Sequence, residues 1–278
     1  MYNAPAFDTR GGNVEAVSVN EWNDQASIKD FACSHNIAKG PVFIVASGAS
    51  AKGFPLERFA DVPMITMNGA ISMFMGTGIN PFFYVCSDTG FPKEQPDLYA
   101  HALQLSHRLA LWPDEVDTLP VPTRADIFAL QKASKATLFQ TAFSSQFQVV
   151  RRRALWGGSS RTIGFSKDLS QGYFDARTVA YVALQIAYHV GFTQVFLVGV
   201  DLNPSVGRFY ENAGRAISPC GLDDHYERRI LPSLELMSKR VMGERFAVYN
   251  LSRDSRIPHS VIPKISVDQA ESIILSGR

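Results

Sequence analysis

The chain has 278 residues, enough for one large domain or two small ones, with 46% apolar and 19% charged side chains. Its net charge of +1 excludes the basic excess of a dedicated nucleic-acid binder. Three widely spaced cysteines, Cys33, Cys86 and Cys220, form neither a zinc pattern nor a redox pair and read as reduced thiols of a cytoplasmic protein.

In chain order, the polar start lacks the basic and apolar regions of a signal peptide, and residues 1–38 are expected to form an arm and a helix. Val42–Ser47 is a continuous apolar run, the pattern of a strand buried on both faces of a parallel sheet. Met64–Ala70 and Pro81–Asp88 read as further strands, and Lys93–Leu109 as a helix. Residues 112–161 are expected to form a helical lid or insert. Val179–Val190 is apolar nearly all round and predicts a buried helix, capped by Asp175 and ended by Gly191. It is too short to span a membrane and is interrupted by Gln185 and His189. Gln194–Asp201 follows as a strand, Tyr226–Met242 as a helix and Phe246–Ser252 as the last strand. Alternation of helix and apolar strand gives an α/β fold: a single Rossmann-like nucleotide-binding domain over 39–265, with a mostly parallel sheet and a tail at 266–278.

Small polar residues close these strands: Ser47, Asn68, Asp88, Asp201, Asn250 and Ser252. In open α/β sheets ligands bind beyond the carboxyl ends of the strands, although each such residue also suits an ordinary turn. Ser47-Gly48-Ala49-Ser50 can bring backbone N–H groups to a phosphate, or simply turn the chain. It lacks both the lysine of a P-loop and the glycine spacing of a dinucleotide fingerprint. Lys167, Asp168, Ser170, Tyr173, Asp175, Arg177 and Thr178 precede the buried helix, where an anion site is expected to form. Arg208, Phe209 and Tyr210, after Asp201, can grip a phosphate or stack on a ring. His225, between acids and a tyrosine, reads either as a general base or as part of a charged helix start. Arg151-Arg152-Arg153, beside Leu155 and Trp156, reads as a solvated run or as a contact to an anionic membrane surface.

The block from Gly164 to Glu211, beginning GFSKDLSQGYFDARTV, resembles the central block of the WaaZ-type lipopolysaccharide core proteins, assigned as transferases of Kdo (3-deoxy-manno-octulosonic acid). IVASGASAKGFPLERF, MNGA, PFFYVCSD and VYNLSRDSRIP fall in the same order as in that family, so the resemblance runs from about Val42 to about Pro263. A looser likeness is to the bacterial sialyltransferases that use CMP-sialic acid. It rests on Ser47–Ser50, Asn68, Arg177-Thr178 and the Gly199-Val200-Asp201 strand end. The chain departs from that pattern where two tyrosines meet the leaving phosphate: Asn203 stands near the first position and Phe209 or Tyr210 near the second.

These resemblances imply a glycosyltransferase that takes CMP-Kdo as donor substrate, with no cofactor and no metal. Ser47, Gly48, Ser50, Asn68, Thr178, Asp201, Asn203 and Arg208 would bind the donor. Arg177 and Tyr210 would stabilise the departing phosphate and the sugar carboxylate, and Asp88 or His225 would be the base. The implied acceptor is the lipid A-linked core oligosaccharide, with the enzyme cytoplasmic and in peripheral contact with the inner membrane; nucleic acid is not an expected partner. The alternative expectations are an ATP-dependent diphosphokinase and a non-catalytic nucleotide-binding protein on a related fold.

Overall fold

A computed structural model describes residues 28–134, 148–152, 162–203, 208–210 and 222–277. Its centre is an eight-stranded sheet in the order β1-β6-β5-β4-β3-β2-β9-β10. The strands are β1 (Ile28–Lys29), β2 (Pro41–Val45), β3 (Met64–Met67), β4 (Phe83–Val85), β5 (Arg108–Leu111), β6 (Asp126–Ala129), β9 (Gln194–Val198) and β10 (Ala247–Asn250), and every pairing is parallel. A separate antiparallel pair joins β7 (Val149–Arg151) to β8 (Gly164–Ser166).

Because side chains alternate along a strand, the sheet serves two cores. Val42, Ile44, Phe83, Val85, Val195 and Leu197 face one, while Phe43, Val45, Tyr84, Cys86, Phe196 and Val198 face the other. On the second side lie α1 (Pro96–Leu105), through Tyr99, Ala102 and Leu103, and the C-terminal helix, through Ala270 and Ile274. On the first lie α2 (Val179–His189) and α3 (Leu231–Arg240).

The expected buried helix is α2. Its interior polar residue, Gln185, is fully satisfied: its carbonyl accepts from Ser166 N (3.0 Å) and Phe174 N (2.9 Å), and its amide donates to Phe174 and Tyr181 carbonyls (both 3.0 Å). His189 accepts from Leu169 N at Nδ1, so Nε2 donates to the Phe31 carbonyl (2.7 Å). Burial lowers its pKa, and the Asp168 carboxylate 3.7 Å away therefore meets an uncharged ring. Gly191, at φ 103°, ends the helix as expected. Asp175 does not cap it. The N-cap is Thr178, and Asp175 Oδ1 instead accepts from Arg177 N (2.8 Å) in a turn three residues earlier.

Other expectations are corrected. The 93–109 helix is broken at Gln95 ahead of Pro96, giving Phe91–Glu94 and then α1, while Arg108 and Leu109 open β5, a strand buried between β4 and β6. Much of the expected helical lid is not helical. Asp126–Ala129 is β6 in the main sheet, because Ile127 and Phe128 bury on opposite faces, and β7 is a strand; residues 135–147 and 153–161 lie outside the described residues. Of the arm, Ile28–Lys29 is an edge strand and Phe31–Ser34 a single 3-10 turn rather than a full helix; residues 1–27 lie outside the described residues. The expected tail is α4 (Val267–Ser276), started by a capping box between Ser266 and Gln269 and anchored by Ala270 and Ile274. The helix before β10 begins at Leu222 and passes through a π turn, Tyr226–Ile230, into α3.

Candidate active site

From β2 the chain adds β3, β4, β5 and β6 on one side, while β9 and β10 lie on the other. The strand order therefore reverses between β2 and β9, the usual place for a ligand crevice in such sheets. The loops after these two strands bind each other. Asp201, 8% exposed, accepts from Ser50 N (3.0 Å) and from Ser50 Oγ, which also meets Ser252 Oγ (2.7 Å). Gly48 N donates to Gly199 O (2.9 Å), and a side chain at position 48 would collide with that carbonyl and with Asp201. The Ser47–Ser50 loop is thus no open phosphate cradle: the amides of Gly48 and Ser50 are taken, and the second is held by a protein carboxylate. The sequence marks all these residues but not that they are complementary to one another.

A short strap crosses the same strand ends. Arg208 bridges to Gly48, Phe209 N donates to Ser47 O (3.2 Å), and Arg208 Nη1 donates to the Tyr210 hydroxyl (3.2 Å). The Tyr210 ring lies directly on Gly69, leaving no room for a Cβ there. Next to it Asn68 is held at φ 43°, with Oδ1 buried and without a hydrogen-bond partner. Leu202, at φ 53°, is a second left-handed residue on this edge, followed by half-buried Asn203. Such strain concentrates where a ligand is gripped.

Toward the first core, two expected site residues meet across 48 positions of sequence. Arg177 and His225 line one cavity of about 330 Å³ with Lys132, Asp175, Arg228 and Arg229. Four cations thus face one carboxylate at the N-terminus of α2, and the helix dipole adds to their field. Burial alone would raise the Asp175 carboxyl, but the Arg177 N–H and the Lys132 ammonium (3.0 Å) outweigh it and hold it below its ordinary range. Arg229 is fixed by Nε and Nη2 to the Asp175 carbonyl (3.1 and 2.9 Å) and by Nη1 to Thr162. Arg177 sits at φ 66°, the third left-handed non-glycine residue at this end of the sheet.

Only part of the expected anion cluster belongs here. Asp168 and Ser170 bond to each other near His189, at the opposite end of α2. Lys167 covers the Tyr188 ring, and Tyr173 is buried against Trp112. Arg151 lies over the Phe174 ring and donates to Ser134 O (2.8 Å), while Arg152 is exposed; Arg153–Trp156 lie outside the described residues.

Toward the second core the chemistry is acidic and phenolic. Asp88 is exposed after β4, with Oδ1 accepting from Gly90 N (3.0 Å). Behind it lies Glu115, which the sequence reading missed. Both its carboxyl oxygens are buried without a hydrogen-bond partner, as are the Tyr84 and Tyr99 hydroxyls. Burial pushes Glu115 up from 4.5 to about 7, and the Asp88 charge adds to this. Burial likewise raises Tyr84, Tyr99 and Cys86. In sequence Glu115 looks like any acid in the first turn of a proline-started helix, Pro113–Val116.

Among the described residues no helix is long and apolar enough to cross a membrane. Residues 139–268 match a family model described as 3-deoxy-D-manno-octulosonic acid transferase WaaZ. A probable 3-deoxy-manno-octulosonic acid transferase of Escherichia coli (strain K12) is 28% identical over 241 residues, covering 81% of this chain and 82% of that protein. A probable transferase of the same description from Salmonella typhimurium is 25% identical over 249 residues, covering 83% and 88%. Among solved structures, a MAf glycosyltransferase from Magnetospirillum magneticum aligns with TM-score 0.47 and 16% identity over 93% of this chain and 41% of that one. The sialyltransferase CstII of Campylobacter jejuni, in complex with cytidine-5′-monophosphate, aligns with TM-score 0.31 and 11% identity over 80% and 83%. The sequence matches bear out the resemblance to the Kdo transferases.

Proposed function

We propose that this chain is a glycosyltransferase of lipopolysaccharide core biosynthesis that moves Kdo, or a related keto-acid sugar, from CMP-Kdo to the inner core. The observation that carries the reading is the similarity to two probable Kdo transferases over four fifths of the chain. The site chemistry supports it. A CMP-linked keto-acid sugar carries a phosphate and a carboxylate, and the cavity of Lys132, Arg177, Arg228 and Arg229 offers cations for both. Stabilising charge as it develops on the departing phosphate is the principal demand of the reaction. Asn68, Tyr210 and Arg208, on the neighbouring strand end, would orient the nucleotide. Asp88, exposed on the far side, would take the proton of the attacking hydroxyl, while His225 would add an N–H donor to the anion cavity. The acceptor would be the lipid A-linked core, met by peripheral contact with the inner membrane from the cytoplasm. The matches lie with glycosyltransferases, so the diphosphokinase reading is set aside.

The test is calorimetric titration with CMP, CDP, UDP and ATP–Mg²⁺, followed by a Kdo-transfer assay on truncated core. CMP is expected to bind best and without added metal, and Arg177→Gly to weaken it about tenfold or more. No preference for CMP, or no transfer, overturns the reading.

A further inference from the structure

One wall of the anion cavity is carried by a segment with an irregular backbone. His225 closes the turn Leu222–His225, and Arg228 and Arg229 lie in the π turn Tyr226–Ile230 that follows it. Such π turns are rare and recur mostly at functional sites. Within the cavity Arg229 is tied to the Asp175 turn. Asp223 and Tyr226, which flank His225 and do not line the cavity, are both held by one residue from the loop after β10, Arg256.

Arg256 grips the segment in three ways. Its guanidinium carbon lies 3.9 Å from the centroid of the Tyr226 ring, its Nη1 pairs with Asp223, and its carbonyl accepts from the Tyr226 hydroxyl. Only a planar guanidinium can lie flat on a ring and still aim an N–H at a carboxylate. Tyr226 is 4% exposed, so water does not compete for the stack. Arg256 is itself fixed to the strand ends. Its N–H donates to Asp201 O (2.9 Å), and the neighbouring Ser255 hydroxyl donates to Val200 O (2.7 Å). Lys264 Nζ braces the same loop by donating to the Arg253 and Ser255 carbonyls (2.9 and 2.8 Å). Asp201 is the residue whose carboxylate holds Ser50, and Ser252, at the start of this loop, meets the Ser50 hydroxyl. One continuous set of contacts therefore runs from the loop after β2, through Asp201 and Arg256, to the cationic wall.

We infer that Arg256 is a positioning residue for the transfer reaction: it sets His225, Arg228 and Arg229 at a fixed distance from the strand ends where the nucleotide would lie. It acts through those residues, since it does not itself line the cavity. This rests on the reading of that cavity as the seat of the donor phosphate. The spacing between base-side and phosphate-side contacts then selects a ligand that carries both, and a loosened wall loses the phosphate while keeping the nucleoside.

The experiment is calorimetric titration of the full chain with CMP, cytidine and inorganic pyrophosphate. Arg256→Ala is expected to weaken CMP and pyrophosphate about tenfold each and to leave cytidine unchanged, which also shows that the variant is folded. Tyr226→Leu, which alters no charge, should reproduce the loss. Should Arg256→Ala fail to fold, Arg256→Lys, which keeps the charge but cannot lie flat on the ring, carries the same test. Equal losses for CMP and cytidine, or none for either, overturn the inference. A loss in Arg256→Ala that Tyr226→Leu does not share overturns it as well, because the effect is then the field of one cation and not placement. Wild type that binds pyrophosphate but not CMP sinks the donor reading alone, and the pyrophosphate series still decides the role of Arg256. Wild type that binds neither overturns both.

Discussion

The two sides of the sheet's carboxyl edge are opposites. Toward α2, Lys132, Arg177, Arg228 and Arg229 line one cavity with the Asp175 carboxylate, which Lys132 and Arg177 stabilise. Toward α1, Glu115 and Asp88 stand among phenols and a thiol, and among the described residues no cation offsets Glu115. The first side suits anions that arrive and leave, because its cations outnumber its one carboxylate around a cavity. The second suits a proton, because its acid is half-buried and holds that proton tightly. A reaction that expels a phosphate and strips a hydroxyl needs both, and the sheet keeps them from neutralising each other.

Mutations can break this division. The largest effect is expected from Asp88→Asn, which should lower transfer by about 10²–10⁴-fold with little change in CMP affinity. A comparable loss in His225→Gln would move the base to the cationic side. Arg177→Gly should cost about 10²-fold in transfer, yet leave thermal stability equal or higher, since glycine relieves the left-handed backbone. Falling stability there would mean that the arginine is structural. Gly69→Ala should displace the Tyr210 ring and weaken CMP binding about tenfold, read by calorimetry.

The smallest effect sharpens the comparison most. Glu115 binds its proton more tightly folded than unfolded, so between its ordinary 4.5 and about 7 the folded state holds more protons and stability falls as pH rises. Glu115→Gln should therefore match wild type below about pH 4.5 and exceed it by about 1–2 kcal/mol at pH 8, allowing for the solvent screening of a half-buried group. Denaturant titrations at the two pH values measure it. Equal stability at both would remove the burial argument.

The sequence announces the central strands because a parallel strand buried on both faces is an unbroken apolar run, as Val42–Val45 and Val195–Val198 are. It hides β6, whose apolar pair Ile127-Phe128 is too short to show a period, and β7 and β8, which are three residues each. Arg177 and His225 could be singled out by residue type, but their meeting depends on how the Leu222–Arg240 helix packs beside α2. Asp201 and Ser50 could be marked as strand ends, while their pairing follows only from the adjacency of β2 and β9. Glu115 was invisible because burial, not residue type, makes it unusual.

That adjacency governs how the molecule must be made. Pro41–Val45 pairs with Gln194–Val198, and Ser50 finds Asp201 and Ser252 at separations of 151 and 202 residues. Such closures are slow to form, because chain entropy is lost before distant contacts are gained. As synthesis proceeds, the strand that fills the middle of the sheet must wait, one edge unpaired, until some 150 further residues have emerged. No N-terminal fragment can assemble this site, and the interval before β9 arrives is when the chain is most exposed to aggregation and most in need of a chaperone.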